Sequence, residues 1–121
     1  MKKTILCIDD SNTALILMEY ALNEAGFQVV LASTVEEAIQ KVNMQIPDLI
    51  LLDLSMPNVS GYDFLKMRVQ LKLEEVPIII VSAYDSPDSV SITRNLGVVD
   101  FVSKPIRIEA IMKKIKAHLK Q

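Results

Sequence analysis

Four of the short apolar runs in this 121-residue chain end in side chains that could do chemistry. The acids and the other candidate groups follow these runs directly: Asp9 with Asp10, then Asp53, Ser82 and Lys104. Carboxylates that meet at one place repel one another. A pair at about 4 Å costs about 1 kcal/mol in water and about 4 kcal/mol at an effective dielectric of 20. If the fold brings these three acids together, they need a cation.

Mg²⁺ suits such a set because it prefers oxygen ligands, binds few protein carboxylates and leaves positions for a phosphate oxygen. A lysine and a hydroxyl on the same edge are further phosphate ligands. Alone, each residue has a simpler interpretation: Asp10 could cap a helix, Ser82 could end a strand, and Lys104 could lie on the surface. An acid directly after a buried strand, as at Asp53, is costly without partners. A divalent cation with a transferable phosphoryl group explains the whole set.

Strand and helix patterns alternate five times along the chain. Runs rich in Ile, Val and Leu predict strands at 4–8, 28–32, 49–52, 78–81 and 98–102. Helical spacing predicts helices at 11–25, 61–71, 86–95 and 108–119. A further helix is predicted where Thr34 and Glu37 have the spacing of a capping box. Apolar strands without alternation are typical of a parallel sheet covered on both faces. We therefore predict a doubly wound α/β fold with its ligand site beyond the carboxyl ends of the strands.

The fourth helix, 86–95, has the lowest intrinsic stability of the five. It contains β-branched Val90, Ile92 and Thr93, and Ser89 and Ser91 compete for local hydrogen bonds. We therefore predict a helix of low intrinsic stability.

Composition excludes several classes of protein. Half of the residues are hydrophobic and the net charge is −2, which predicts one globular domain over residues 1–121 and does not favour a nucleic-acid or membrane coat. The single cysteine, Cys7, allows no disulfide scaffold and fits a reducing, cytoplasmic setting. The apolar runs are far shorter than a membrane span, and we expect no signal peptide.

Five pieces of the sequence, in this order and spacing, resemble the receiver domain of two-component response regulators, similar to the chemotaxis type. They are the pair Asp9-Asp10, the segment 53–61 (DLSMPNVSG), the segment 77–83 (PIIIVSA), Gly97 and Lys104-Pro105. The resemblance covers nearly the full chain. It implies a flavodoxin-like fold of five parallel strands in the order 2-1-3-4-5 with five helices.

The resemblance also implies a chemistry. Asp53 would accept a phosphoryl group from a sensor histidine kinase or a phosphotransfer protein, and Mg²⁺ would be held by Asp9, Asp10, Asp53 and the backbone carbonyl of Ser55. The chain would be a signalling module that catalyses only its own phosphorylation and dephosphorylation. Implied partners include a downstream output protein or domain and a phosphorylation-dependent dimer, without direct contact with nucleic acid or membrane.

A switch would follow phosphorylation. The resemblance implies a cis peptide bond between Lys104 and Pro105 and a contact between Lys104 and the phosphoryl group. The Ser82 hydroxyl would move to hydrogen-bond the phosphoryl group, and Phe101 would turn inward. A hydrogen bond to a charged group contributes about 1.5 to 3 kcal/mol, but moving an equilibrium from 1:99 to 99:1 needs about 5.5. Ser82 alone is therefore insufficient, and we expect Lys104, Phe101 and a shift of helix 86–95 to contribute.

Three rival functions share parts of this pattern. A phosphohydrolase of the haloacid-dehalogenase type needs a second aspartate two residues after its nucleophile, where this chain has Ser55. A flavodoxin-like flavin carrier needs a phosphate loop after the first strand, where Asp9 and Asp10 would repel a phosphate. A pseudo-receiver that acts only as a scaffold would not need the complete set of acids, hydroxyl and lysine.

Overall fold

The computed structural model describes residues 2–54, 61–83 and 87–119, and for 87–89 it describes the backbone only. Five strands and five helices alternate along the chain. The strands are β1 Thr4–Ile8, β2 Gln28–Ala32, β3 Leu49–Leu52, β4 Ile78–Ser82 and β5 Asp100–Ser103. The helices are α1 Asn12–Glu24, α2 Val35–Met44, α3 Gly61–Lys66, α4 Pro87–Asn95 and α5 Ile108–His118.

The strands form one parallel sheet in the order β2-β1-β3-β4-β5, which confirms the predicted fold. The three central strands are buried along their whole length, whereas β2 and β5 lie at the edges and are partly exposed. Neighbouring side chains of each central strand point to opposite faces. Each face therefore needs its own layer of helices.

Two apolar layers cover the sheet. Leu15, Met18 and Leu22 of α1 join Ile111 and Ile115 of α5 on one face. The other face is covered by the buried side chains of α2 and α3 and of the segments after α3 and α4: Val35, Ala38, Val42, Phe64, Leu65, Leu71, Leu73, Val76 and Val98. Within the described ranges, none of the helices is long and apolar enough to cross a bilayer.

Two predicted boundaries were wrong. Helix α3 ends at Lys66 rather than at residue 71, because the chain tightens there: the amides of Met67 and Arg68 donate to carbonyls only three residues back, and Lys72 takes a φ of 61°. The apolar spacing continues through this turn, since Leu71 is still buried. Strand β5 begins at Asp100 rather than at residue 98, because the Val98 amide donates to Thr93 at the end of α4.

The first two helices begin as their sequences predict. Ser11 is the N-cap of α1, and its hydroxyl accepts from the Ala14 amide at 3.2 Å. Thr34 caps α2 by accepting from the Glu37 amide at 3.0 Å. Capping of α1 by Ser11 leaves the side chains of Asp9 and Asp10 available for another role.

Candidate functional site

The backbone places Asp9, Asp53 and Lys104 by one repeated device. Each is the first residue after its strand, and its amide donates to a neighbouring strand's last residue: Asp9 to Ala32 at 3.1 Å, Asp53 to Ile8 at 2.9 Å, and Lys104 to Ser82 at 3.0 Å. Their positions are therefore fixed by the sheet. The peptide bond between Lys104 and Pro105 is cis, as the resemblance implied.

The three predicted acids meet at this edge of the sheet. Asp9, Asp10 and Asp53 each offer a carboxylate oxygen within 4.8 Å of the others. Asp9 is 7% exposed and Asp53 is 4% exposed, whereas Asp10 is exposed to solvent. Because burial weakens the screening of their charges, the two buried carboxylates need a compensating cation more than the exposed one does.

Lys104 supplies part of that compensation. Its Nζ lies 2.9 Å from Oδ2 of Asp9 and 3.4 Å from Oδ2 of Asp53. Burial lowers the pKa of Lys104, but the hydrogen bond and charge of Asp9, together with those of Asp53, outweigh this and raise it above the ordinary value. One ammonium contacts two of the three acids, so the cluster keeps an excess of negative charge.

The donor set fits Mg²⁺. All three side chains are carboxylates, they converge from two strand ends, and one of them faces solvent, so water and phosphate oxygens can complete an octahedral shell. The fourth predicted ligand, the carbonyl of Ser55, lies outside the described residues.

Asp9 is also held by the start of α1. Its Oδ1 accepts a hydrogen bond from the Ser11 amide at 2.9 Å, which leaves Oδ2 for Lys104. Sequence reasoning missed this contact, although a cap serine two residues after an acid is a signal that could have indicated it.

Gly61 is a second residue that the sequence did not reveal as part of the site. A Cβ at this position would lie 2.6 Å from the Asp53 carbonyl oxygen and 2.9 Å from Cα of Leu54. Any larger residue would displace the backbone that carries Asp53. The sequence indicates only a helix start at Gly61, since it gives no sign of this close approach.

The two predicted switch residues lie on adjacent strands. Ser82 is fully buried at the end of β4, paired in register with Ser103 of β5. Phe101 pairs with Ile80, is half-buried and packs against the layer that contains α2 and α3. Ser82 therefore ends its strand at the acidic edge, whereas Phe101 lies two residues before the end of β5.

A second charged cluster, which sequence reasoning also missed, lies at the opposite end of β5. Asp100 Oδ1 is 2.8 Å from Nζ of Lys114, and its Oδ2 is 2.9 Å from Nε2 of His118. Burial raises the pKa of Asp100, but the hydrogen bonds from Lys114, from His118 and from the Phe101 amide, with the charge of Lys114, outweigh it and lower the pKa to about 2. This cluster fastens α5 to β5.

Cys7 carries no chemistry at neutral pH. It is buried, and its pKa is raised to about 12, first by burial and then by the charges of Asp9 and Glu19. The thiol therefore stays protonated, as its apolar sequence neighbours predict.

Comparison with known proteins agrees with this arrangement. The family model described as the response regulator receiver domain matches residues 5–116. The chain is 34% identical over 121 residues to the alkaline phosphatase synthesis transcriptional regulatory protein PhoP of Bacillus subtilis, covering 100% of this chain and 50% of that protein. It is 32% identical over 119 residues to sporulation initiation phosphotransferase F of the same organism, covering 98% and 95%.

Solved structures share the fold. The chemotaxis protein CheY4 of Vibrio cholerae superposes with a TM-score of 0.93 at 27% identity, covering 98% of this chain and 100% of that one. The chain thus spans half the length of one relative and nearly the full length of others.

Proposed function

Because the chain belongs to the response regulator receiver domain family, we propose that it acts in phosphorelay signal transduction by accepting a phosphoryl group on Asp53. Receiver domains are signalling modules of two-component systems, and residues 1–121 form one such domain in this proposal. The observation that carries it is the convergence of three carboxylates within 4.8 Å beside the Lys104 ammonium.

In the proposed reaction, a carboxylate oxygen of Asp53 attacks the phosphorus of a phosphohistidine on a kinase or phosphotransfer protein. The new O–P bond forms in line with the P–N bond that breaks, and the imidazole leaves with the electron pair. The Lys104 ammonium, 3.4 Å from Asp53 Oδ2, lies where it can bind an oxygen of the transferred group.

Asp9, Asp10 and Asp53 would hold Mg²⁺, together with the carbonyl of Ser55. When bound, Mg²⁺ supplies positive charge that neutralises phosphoryl oxygens. The Ser11 amide, 2.9 Å from Oδ1 of Asp9, orients this carboxylate at the edge where the ion would bind.

Phosphorylation would then change the partner-binding surface. Ser82 moves to hydrogen-bond the phosphoryl group, Phe101 repacks into the vacated space, and α4 shifts. Phe101 has no phenolic hydroxyl, so its own contribution to the switch is packing alone. Because one charged hydrogen bond gives only about 1.5 to 3 kcal/mol, repacking and the Lys104 contact supply the remainder.

The proposed partners are a histidine kinase or phosphotransfer protein and an output protein or domain, with a phosphorylation-dependent dimer as a further assembly. The proposed location is the cytoplasm, in keeping with the buried, reduced Cys7. The net charge of −2 does not favour direct binding to nucleic acid, and none is proposed.

Incubation with acetyl phosphate and Mg²⁺, followed by intact-mass spectrometry, tests the acceptor. We expect the parent to gain the mass of one phosphoryl group and Asp53→Asn to gain none. Asp100→Asn is the matched control, because it removes a carboxylate from the opposite end of β5, and it should be phosphorylated like the parent. A parent that gains no mass, or an Asp53→Asn variant that gains it, would overturn the proposal.

A further inference from the structure

The C-terminal end of α4 is closed by a two-bond cap. The Val98 amide donates to the Thr93 carbonyl at 3.1 Å, and the Gly97 amide donates to the Arg94 carbonyl at 3.0 Å. Gly97 takes a φ of +93°, which an L side chain rarely adopts. This geometry is a Schellman cap, which satisfies carbonyls that have no partner within the helix.

Arg68 reaches this cap from the turn after α3. Its Nη1 donates to the Gly97 carbonyl at 3.3 Å, across 29 residues of sequence. The guanidinium occupies the space that a Cβ at position 97 would need, so Arg68 can pack here only because residue 97 is a glycine. A positive charge is also favourable at a helix C-terminus, where the helix dipole is negative.

The Arg68 side chain is partly buried, and its sequence neighbours differ: Met67 packs against the core and Val69 is exposed. Desolvation of its charge carries a cost that needs a compensating contact. The Gly97 carbonyl and the C-terminal dipole of α4 provide that contact.

We infer that Arg68 is a positioning residue that clamps the C-terminal end of α4 to the turn after α3. Thr93 is fully buried at the same end of the helix, and its hydroxyl donates to the Val90 carbonyl at 3.0 Å. The N-terminal end of α4, which begins at Pro87 soon after Ser82, lies away from this anchor. A second step rests on the proposed function: when the domain switches, α4 pivots about its clamped C-terminal end.

Amide hydrogen exchange on the unphosphorylated full chain tests the clamp. In Arg68→Met, which keeps the bulk and loses the donor, we expect the amides of residues 96–98 to exchange about tenfold faster. Arg68→Lys keeps the charge and should restore exchange to within about threefold of the parent. Lys66→Met, which removes an exposed cation from the same segment, should leave these amides unchanged.

The clamp would be overturned by unchanged exchange at 96–98 in Arg68→Met, by an equal effect of Lys66→Met, or by a failure of Arg68→Lys to restore slow exchange. A uniform rise that includes the amides of β1 and β3 would also overturn it, because it would indicate general destabilisation. Urea unfolding gives the overall stability of each variant and so distinguishes a local effect at 96–98 from general destabilisation.

The same measurement with the phosphoryl mimic beryllium fluoride and Mg²⁺ tests the pivot. In the parent, exchange should change at residues 88–92 and stay constant at 96–98, and in Arg68→Met the change should spread to 96–98. A parent that changes equally at both ends contradicts the pivot. A parent whose α4 does not respond at all contradicts the proposed switching of α4, while the clamp is still judged on the unphosphorylated protein.

Discussion

Two clusters of charge hold β5 at its two ends, and their balance differs. At the carboxyl end, the Lys104 ammonium contacts Asp9 and Asp53, and the carboxylate of Asp10 lies within 4.8 Å of both. At the other end, one carboxylate, that of Asp100, contacts both Lys114 and His118. The first cluster has three carboxylates and one lysine, so negative charge is in excess. The second cluster has a single carboxylate with a lysine and a histidine, so it has no excess of negative charge. An excess of buried carboxylate is suited to binding a cation, whereas the second cluster, which has no such excess, holds α5 against β5.

Removal of the lysine from each cluster should have unequal effects. We expect Lys104→Met to lower the free energy of unfolding by about 2 to 3 kcal/mol at pH 7 in Mg²⁺-free buffer, because buried carboxylates lose their partner and Lys104 is itself only partly buried. Lys114→Met should cost about 1 kcal/mol or less, since its pair is more exposed. Urea unfolding measures both, and equal losses would refute the contrast.

The pKa of Lys104 gives this pair a pH dependence. Its pKa is raised in the folded protein, so the stability that it contributes is complete below the unfolded value of 10.5 and is lost as pH rises through the folded value. The difference between the parent and Lys104→Met should therefore stay constant near neutral pH and shrink in strongly alkaline buffer, as urea unfolding across this range would measure.

A methyl group added beside Asp53 should disturb the first cluster. Gly61→Ala places a Cβ 2.6 Å from the Asp53 carbonyl oxygen, and we expect it to lower stability by about 2 kcal/mol and to reduce phosphorylation by acetyl phosphate. Gly26→Ala is the control, because it meets no atom within 4 Å and carries only the backbone cost of its φ of +94°. Normal phosphorylation and stability in Gly61→Ala would contradict the close approach.

Acid should weaken the second cluster by a smaller amount. The pKa of Asp100 is lowered from 3.8 to about 2, so its contribution is present above pH 4 and is lost as pH falls towards 2. After allowance for solvent screening, we expect this contribution to be about 1 kcal/mol. The stability difference between the parent and Asp100→Asn should narrow by that amount between pH 5 and pH 2. A difference independent of pH would show that Asp100 is not a paired carboxylate.

The sequence predicted the acidic edge better than the rest of the molecule. Strands β1, β2 and β3 match their predicted bounds, because unbroken apolar runs end sharply at polar residues. Parallel strands then bring Asp9, Asp53 and Lys104 to one edge whatever the loops do. Interactions that depend on packing between distant segments were not predictable. The pairing of Asp100 with His118 and the contact of Arg68 with Gly97 have no local signal, since their partners lie 18 and 29 residues away.

Mg²⁺ binding tests most directly whether the surplus of carboxylate at the carboxyl end is a cation site. Urea unfolding of the parent, Asp53→Asn and Asp100→Asn is followed as Mg²⁺ is increased at constant ionic strength. A ligand that binds only the folded state adds about 2.7 kcal/mol at one hundred times its dissociation constant. We predict a gain of this kind in the parent and in Asp100→Asn, and a much smaller gain in Asp53→Asn. Equal gains in all three proteins, or none in the parent, would contradict the account.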